Sequence, residues 1–226
     1  MTQDLVNQAG EIAEAAEEPV TLNVIDLALQ GGWIMLILLL MSIYAVYVYV
    51  ERTLTLNKAL KEDKTFMSKI KDYIHSGKID SAQTLCQSTD TPVARMIEKG
   101  ISRIGRPLND INTTVENVGN IEVSRLEKGI AGLASVSGGA PMIGFFGTVT
   151  GMIEAFFQMA NAGNNIDVST LAGGIYTALV TTVGGLAVGI VAYFAYNNLV
   201  ARIEKVVFIL EARTMEFMDL LNEPAN

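Results

Sequence analysis

Lysine and arginine are missing from two long stretches of this chain: none of the 16 falls within residues 1–51 or 129–201. One cysteine and one histidine exclude an intrachain disulfide and a zinc site built from such ligands. Cys86 reads as a small packing residue. No basic face is set against interleaved aromatics, which argues against a nucleic-acid ligand. A Ser/His/Asp set, a phosphate-cradling glycine loop ahead of a helix and paired metal ligands are all lacking, so the chain does not read as an enzyme and implies no cofactor. The N-terminus has no basic region before its first apolar run, unlike a cleaved signal peptide, so that run is expected to stay as an anchor. No internal repeat or low-complexity tract stands out.

What is present is hydrophobic. Half of the 226 residues are apolar, yet the net charge is -8, because charge is confined to particular segments. The two cation-free stretches contain three segments apolar enough to cross a bilayer. Loops retained on the cytoplasmic side keep the positive charge, which sets the orientation. The expected class is all-α: a multi-pass membrane protein with three transmembrane helices, long helices extending into the cytoplasm and its N-terminus outside.

Residues 1–29 form an external segment with six carboxylates and no cation. Leu22, Ile25 and Leu29 recur at helical spacing after Pro19, so a short amphipathic helix is expected over 11–29. Residues 30–51 make the first span: Trp33 to Val50 are 18 uncharged residues, and about 20 apolar residues cross a bilayer core. Trp33, Tyr44, Tyr47 and Tyr49 suit the interfacial belts. Residues 52–130 are a cytoplasmic helical region divided by Pro92 and Pro107, with short amphipathic helices at 66–74 and 79–86. From Ile111 a stripe through Val115, Val118, Leu126, Ile130 and Leu133 continues without a proline. One helix is therefore expected to start in the cytoplasm and run on through the membrane. Glu122 lies within that stripe and is expected to form a salt bridge to a neighbouring helix or chain.

The second span covers 131–160, an external hairpin 161–170, the third span 171–200, and a cytoplasmic C-terminal helix and tail 201–226. Both later spans are rich in glycine. Gly144, Gly147 and Gly151 in one and Gly185 and Gly189 in the other mark close helix packing, because small residues let backbones approach. Hydroxyls accompany them: Thr148 and Thr150, then Thr177, Thr181 and Thr182. Such groups can hold water or a cation along a polar path, or each can bond to the carbonyl four residues back. Glu154 is the one carboxylate within these spans. Two readings stand for it: an ion contact towards the outer side, or a solvated interfacial residue. Spans this poor in titratable groups do not make a proton relay alone, so an ion pathway needs an acidic residue from another chain.

Ala140-Pro141 followed by Gly144-Phe145-Phe146-Gly147-Thr148-Val149-Thr150-Gly151 resembles the second-span signature of the MotA/TolQ/ExbB proton-channel family. Gly174-Ile175, Ala178-Leu179, Thr182, Gly185-Leu186, Tyr196-Asn197 and Ala201-Arg202 resemble its third span and exit, and Glu51-Arg52 fits after the first. The similarity covers about residues 30–215, and the topology is nearer to ExbB and TolQ than to the four-span MotA. The resemblance implies a homopentamer in the lipid bilayer of the bacterial inner membrane, enclosing two copies of an ExbD/TolR-like single-span protein. That partner carries a membrane Asp, and a TonB-like protein receives the work. Protons are then the coupling ion, Thr148 and Thr182 match pore-facing threonines, and the glycine-rich faces pack subunits into the ring. One departure stands out: enterobacterial ExbB and TolQ have a Glu where this chain has Thr177. Hydroxyl-lined paths also suit sodium, so that ion remains the alternative.

The function expected is an ExbB-like subunit of a proton-motive-force-driven complex energising TonB-dependent transport across an outer membrane. The alternatives are a TolQ-like or gliding-type motor subunit of the same family, or a non-conducting membrane scaffold.

Overall fold

A computed structural model describes residues 31–61, 65–161 and 168–223. The amphipathic helix expected over 11–29 and most of the 161–170 hairpin lie outside them. Among the described residues the chain is helical, with no strand: α1 Gly32–Leu60, α2 Phe66–His75, α3 Ile79–Ser88, α4 Pro92–Ile101, α5 Leu108–Glu127, α6 Ile130–Asn161 and α7 Val168–Asn222. Three helical stretches, in α1, α5–α6 and α7, are long and apolar enough to cross a membrane. Their outward surfaces carry Leu36, Leu40 and Tyr47 on α1, Met142, Phe145 and Phe157 on α6, and Val183, Val191 and Phe194 on α7, all more than half exposed. Apolar area on that scale needs lipid or another subunit against it.

α6 and α7 form an antiparallel pair in which Gly144 faces Gly185, Gly151 faces Ala178, and Ala155 faces Gly174. α1 packs across them, with Ile34 near Gly147, Val48 near Gly129 and Met35 near Gly184. Beyond the apolar stretches, α2 to α5 and the second half of α7 form a charged bundle. Phe217 of α7 is fully buried there, and Gly100 of α4 leaves the room: a Cβ at 100 would lie 2.5 Å from Phe217 Cε1. Thr91 starts α4 by accepting a hydrogen bond from the Ala94 amide at 3.2 Å, with Pro92 in the first turn. Cys86 packs inside this bundle at 2% exposure. Burial, with the Glu98 charge adding to it, pushes its thiol up to about 12. Only the thiolate reacts with alkylating reagents. At neutral pH a maleimide should therefore leave Cys86 unmodified in folded protein and label it once denaturant is added, read by mass.

The single helix expected from Ile111 through the membrane is instead two. α5 ends at Glu127, Gly129 takes φ +84°, and α6 begins at Ile130. A left-handed glycine just past the last turn is a common helix stop. Arg52 Nη1 donates to the Arg125 carbonyl oxygen at 2.9 Å, supplying a donor to the end of α5 where carbonyls lack helical partners. Glu122, 3% exposed, takes hydrogen bonds at 2.6 Å from Arg95 Nη2 of α4 and from Arg125 Nη1. The expected ion pair is thus made to a neighbouring helix. Arg95 also meets Asp90 at 2.6 Å, and Asp90 is bonded by Lys58 of α1, which holds its carboxyl below the usual range. Glu122→Gln should lower stability by about 1–2 kcal/mol. That is less than a fully buried pair loses, because both guanidinium groups reach water. A urea titration followed by circular dichroism checks it.

Candidate functional site

Glycine and alanine spaced three or four apart put one smooth face on each of α6 and α7, and the two faces meet at backbone distance. A Cβ at Gly144 would stand 2.8 Å from the Thr181 carbonyl oxygen and 3.0 Å from Gly185 Cα. At Gly185 it would stand 2.6 Å from the Ala140 carbonyl oxygen and 2.8 Å from Gly144 Cα. At Gly147 it would meet Thr181 Oγ1 at 2.5 Å, and at Gly151 the Ala178 Cβ at 3.1 Å. Gly189 makes room for the ring of Pro141, whose Cγ would lie 2.5 Å from an added Cβ. Pro141 is tolerated inside α6 because a neighbouring helix covers the turn it loosens.

All five of these glycines, expected to mark close helix packing, lie at the contact between α6 and α7 of one chain. Two other glycines of the same helices, Gly138 and Gly173, have no atom within 4 Å of an added Cβ.

The close approach brings hydroxyls and carbonyls together. Thr148 Oγ1 of α6 donates to the Ala178 carbonyl oxygen of α7 at 3.1 Å and touches the Thr182 hydroxyl. Thr182 Oγ1 donates back to the Gly144 carbonyl oxygen at 3.2 Å. Thr181, 2% exposed, sits on the other side of the contact and donates to the Ala178 carbonyl at 2.7 Å. The result is a polar seam crossing an otherwise apolar helix pair. Its inner edge is Thr181, and its open edge is the half-buried Thr148–Thr182 pair. Hydroxyls that have given their proton to a carbonyl keep lone pairs for water or a cation. None of these groups titrates near neutral pH, so the seam itself does not store a proton.

The other residues singled out from sequence fall elsewhere. Thr150 bonds to carbonyls of its own turn, Phe146 and Gly147, both at 3.1 Å. Thr177 is half-buried one turn from Thr181. Glu154 is exposed, with Gln158 Nε2 3.5 Å from its carboxylate. It lies six residues from Thr148, about 9 Å along the helix, so the fold does not bring it to the seam. Sequence reading named Gly174 and Ala178 without their facing partners and missed Ala155. Their spacing continues the small-residue pattern, but nothing in a single helix says which residue will face it.

Residues 88–212 match the model of the MotA/TolQ/ExbB proton channel family. The Tol-Pal system protein TolQ of Haemophilus influenzae is 30% identical over 212 residues, covering 82% of this chain and 87% of that protein. The biopolymer transport protein ExbB of Neisseria meningitidis serogroup B is 28% identical over 180 residues, covering 74% and 80%. An ExbB homolog of Methanothermobacter thermautotrophicus is 27% identical over 183 residues, which cover 80% of this chain and 64% of that protein. The matched region contains α6, the hydroxyl seam and most of α7, and with a TolQ so similar over nearly its whole length, the chain belongs to the MotA/TolQ/ExbB proton channel family, whose members are channel and motor subunits rather than enzymes.

Proposed function

We propose that the chain is the ring-forming, ExbB-like subunit of an ion-driven complex in the bacterial inner membrane, with its N-terminus outside and its charged bundle in the cytoplasm. Several copies, five in the reading favoured here, enclose an ExbD/TolR-like single-span partner. The partner's intramembrane Asp takes up and releases protons beside the Thr148–Thr182 edge. The ring then passes the resulting motion to a TonB-like protein and so energises transport across an outer membrane.

The observation that carries this is the seam itself. Two hydroxyls and two backbone carbonyls cross a glycine-lined contact in helices that bring no carboxylate to it. A path of that kind lowers the barrier for a proton or a dehydrated cation, and it needs the titrating group from elsewhere. Sodium is the alternative coupling ion on the same grounds. A Tol-type role fits equally well, because the choice between the two lies with the partner that receives the work.

Native mass measurement of the chain co-expressed with its candidate partner tests the proposal. A pentamer carrying two partner copies is expected. A monomer, or a ring that never retains the partner, would overturn it.

A further inference from the structure

Two open grooves run end to end along one side of the charged half of α7. The first, about 530 Å³, lies between α5 and α7. The second, about 770 Å³, continues towards the membrane between the start of α6 and α7. Val207 and Glu211 line both, so the two make one furrow.

Its floor includes Met96 and Met218, side chains that adapt to irregular apolar partners. Its edge carries Phe208 and Met215, 70% and 64% exposed, seven residues apart and so on one face of α7. Its walls are acidic. Glu116, Glu211 and Asp219 line the first groove, and Glu127 and Glu204 add to the second. Among the described residues no Lys, Arg or His lines either groove. Elsewhere in the bundle several carboxylates are answered by cations: Asp90 by Lys58 and Arg95, Glu122 by Arg95 and Arg125, Glu223 by Lys71. In the furrow acidic side chains gather around exposed apolar ones; Lys71, held by Glu223, lies in a third groove that shares Phe208, Glu211, Met215 and Asp219. The complementary occupant is a helix with an apolar face and a basic border.

The proposed complex supplies a source for such a helix. A single-span protein held by α6 and α7 leaves the membrane beside the membrane end of this furrow. Residues flanking a span on the cytoplasmic side are biased towards Lys and Arg. We infer that the furrow between α5, α6 and α7 receives the basic, amphipathic juxtamembrane segment of the single-span partner. This inference rests on the ring-and-partner reading above. Docking there ties the partner's cytoplasmic end to the long helix that also carries Thr182.

The test uses the intact ring, with Met215→Cys labelled by an environment-sensitive dye; buried Cys86 stays unlabelled. A synthetic amphipathic helix of Leu and Lys is titrated in, with a Leu and Glu helix as the control. The Leu/Lys peptide should give a saturable blue shift that weakens with added salt. In the triple variant Glu116→Gln/Glu211→Gln/Asp219→Asn its affinity should fall on the order of tenfold, since three exposed ion pairs each contribute a small factor. Circular dichroism confirms that the triple variant is folded. The inference is overturned by no shift, by an equal shift with the Leu/Glu peptide, or by an unchanged affinity in the triple variant. A dye already shielded by a second copy before peptide is added also overturns it. Partner co-purification and ion flux are measured on the same wild-type ring. Their failure sinks the ring reading, whereas peptide failure with flux intact sinks this inference alone.

Discussion

Gly185→Leu should leave no folded α6–α7 pair, and Gly185→Ala should lower stability by about 2–3 kcal/mol, at the upper end for an overpacked contact. The reason is what stands opposite. A single added Cβ reaches the Ala140 carbonyl oxygen at 2.6 Å and Gly144 Cα at 2.8 Å. Both are backbone, so no rotamer change relieves the clash and the helices have to separate. Separation also pulls the Thr148 and Thr182 hydroxyls from their carbonyl partners across the contact. Gly173 is the control: a Cβ there meets nothing within 4 Å, so Gly173→Ala should be neutral within about 0.5 kcal/mol. Thermal melting in one detergent, followed by circular dichroism, separates the cases. Equal melting temperatures for Gly185→Ala and wild type would contradict a backbone-to-backbone contact at this position.

The second large effect is on activity. Thr148→Ala combined with Thr182→Ala should abolish partner-driven ion flux, down to the background leak, while the protein still folds and assembles. Hydrogen bonds between membrane helices average only about 0.6 kcal/mol, so losing those made by these two hydroxyls leaves the glycine contact standing. The path loses more: without the hydroxyls its open edge is apolar, and a cation or water chain there goes unsolvated. Thr148→Ser with Thr182→Ser retains the hydroxyls and should restore flux, which a purely structural role would not require. Proton uptake into liposomes containing the complex, together with native mass of each variant, makes the comparison. Undiminished flux in the double alanine variant would remove these residues from the path.

Much of this was legible in the chain because the bilayer is a demanding solvent. A run such as Trp33 to Val50 has few structural options in hydrocarbon, and cation placement favours one orientation for it. Glycines at Gly144, Gly147, Gly185 and Gly189 are costly in a lone helix, so their presence pointed to close contact. Which surface they contact was not legible, because a smooth helix face does not say whether the next helix belongs to the same chain. The break at Gly129 was hidden by the apolar stripe, which continues in phase from Leu126 to Ile130 and Leu133. Lys128-Gly129 was the available signal, a glycine directly after a cation at a helix end. Glu122 was readable as paired, since a carboxylate in an apolar stripe needs a partner, but Arg95 is 27 residues away on a helix whose placement only the tertiary fold decides. Among the threonines, the division into Thr150, bonded within its turn, and Thr148, bonded across the contact, depends on a facing carbonyl that no single-helix pattern contains.

Proton flux through reconstituted rings, with and without the single-span partner, bears most directly on the idea that these helices border a path whose titrating carboxylate comes from outside. With the partner present, an imposed gradient should drive uptake; with the ring alone, or with the partner's membrane Asp changed to Asn, uptake should fall to that of empty liposomes. A ring that conducts protons equally well without any partner would contradict it, and would place the titrating group within this chain.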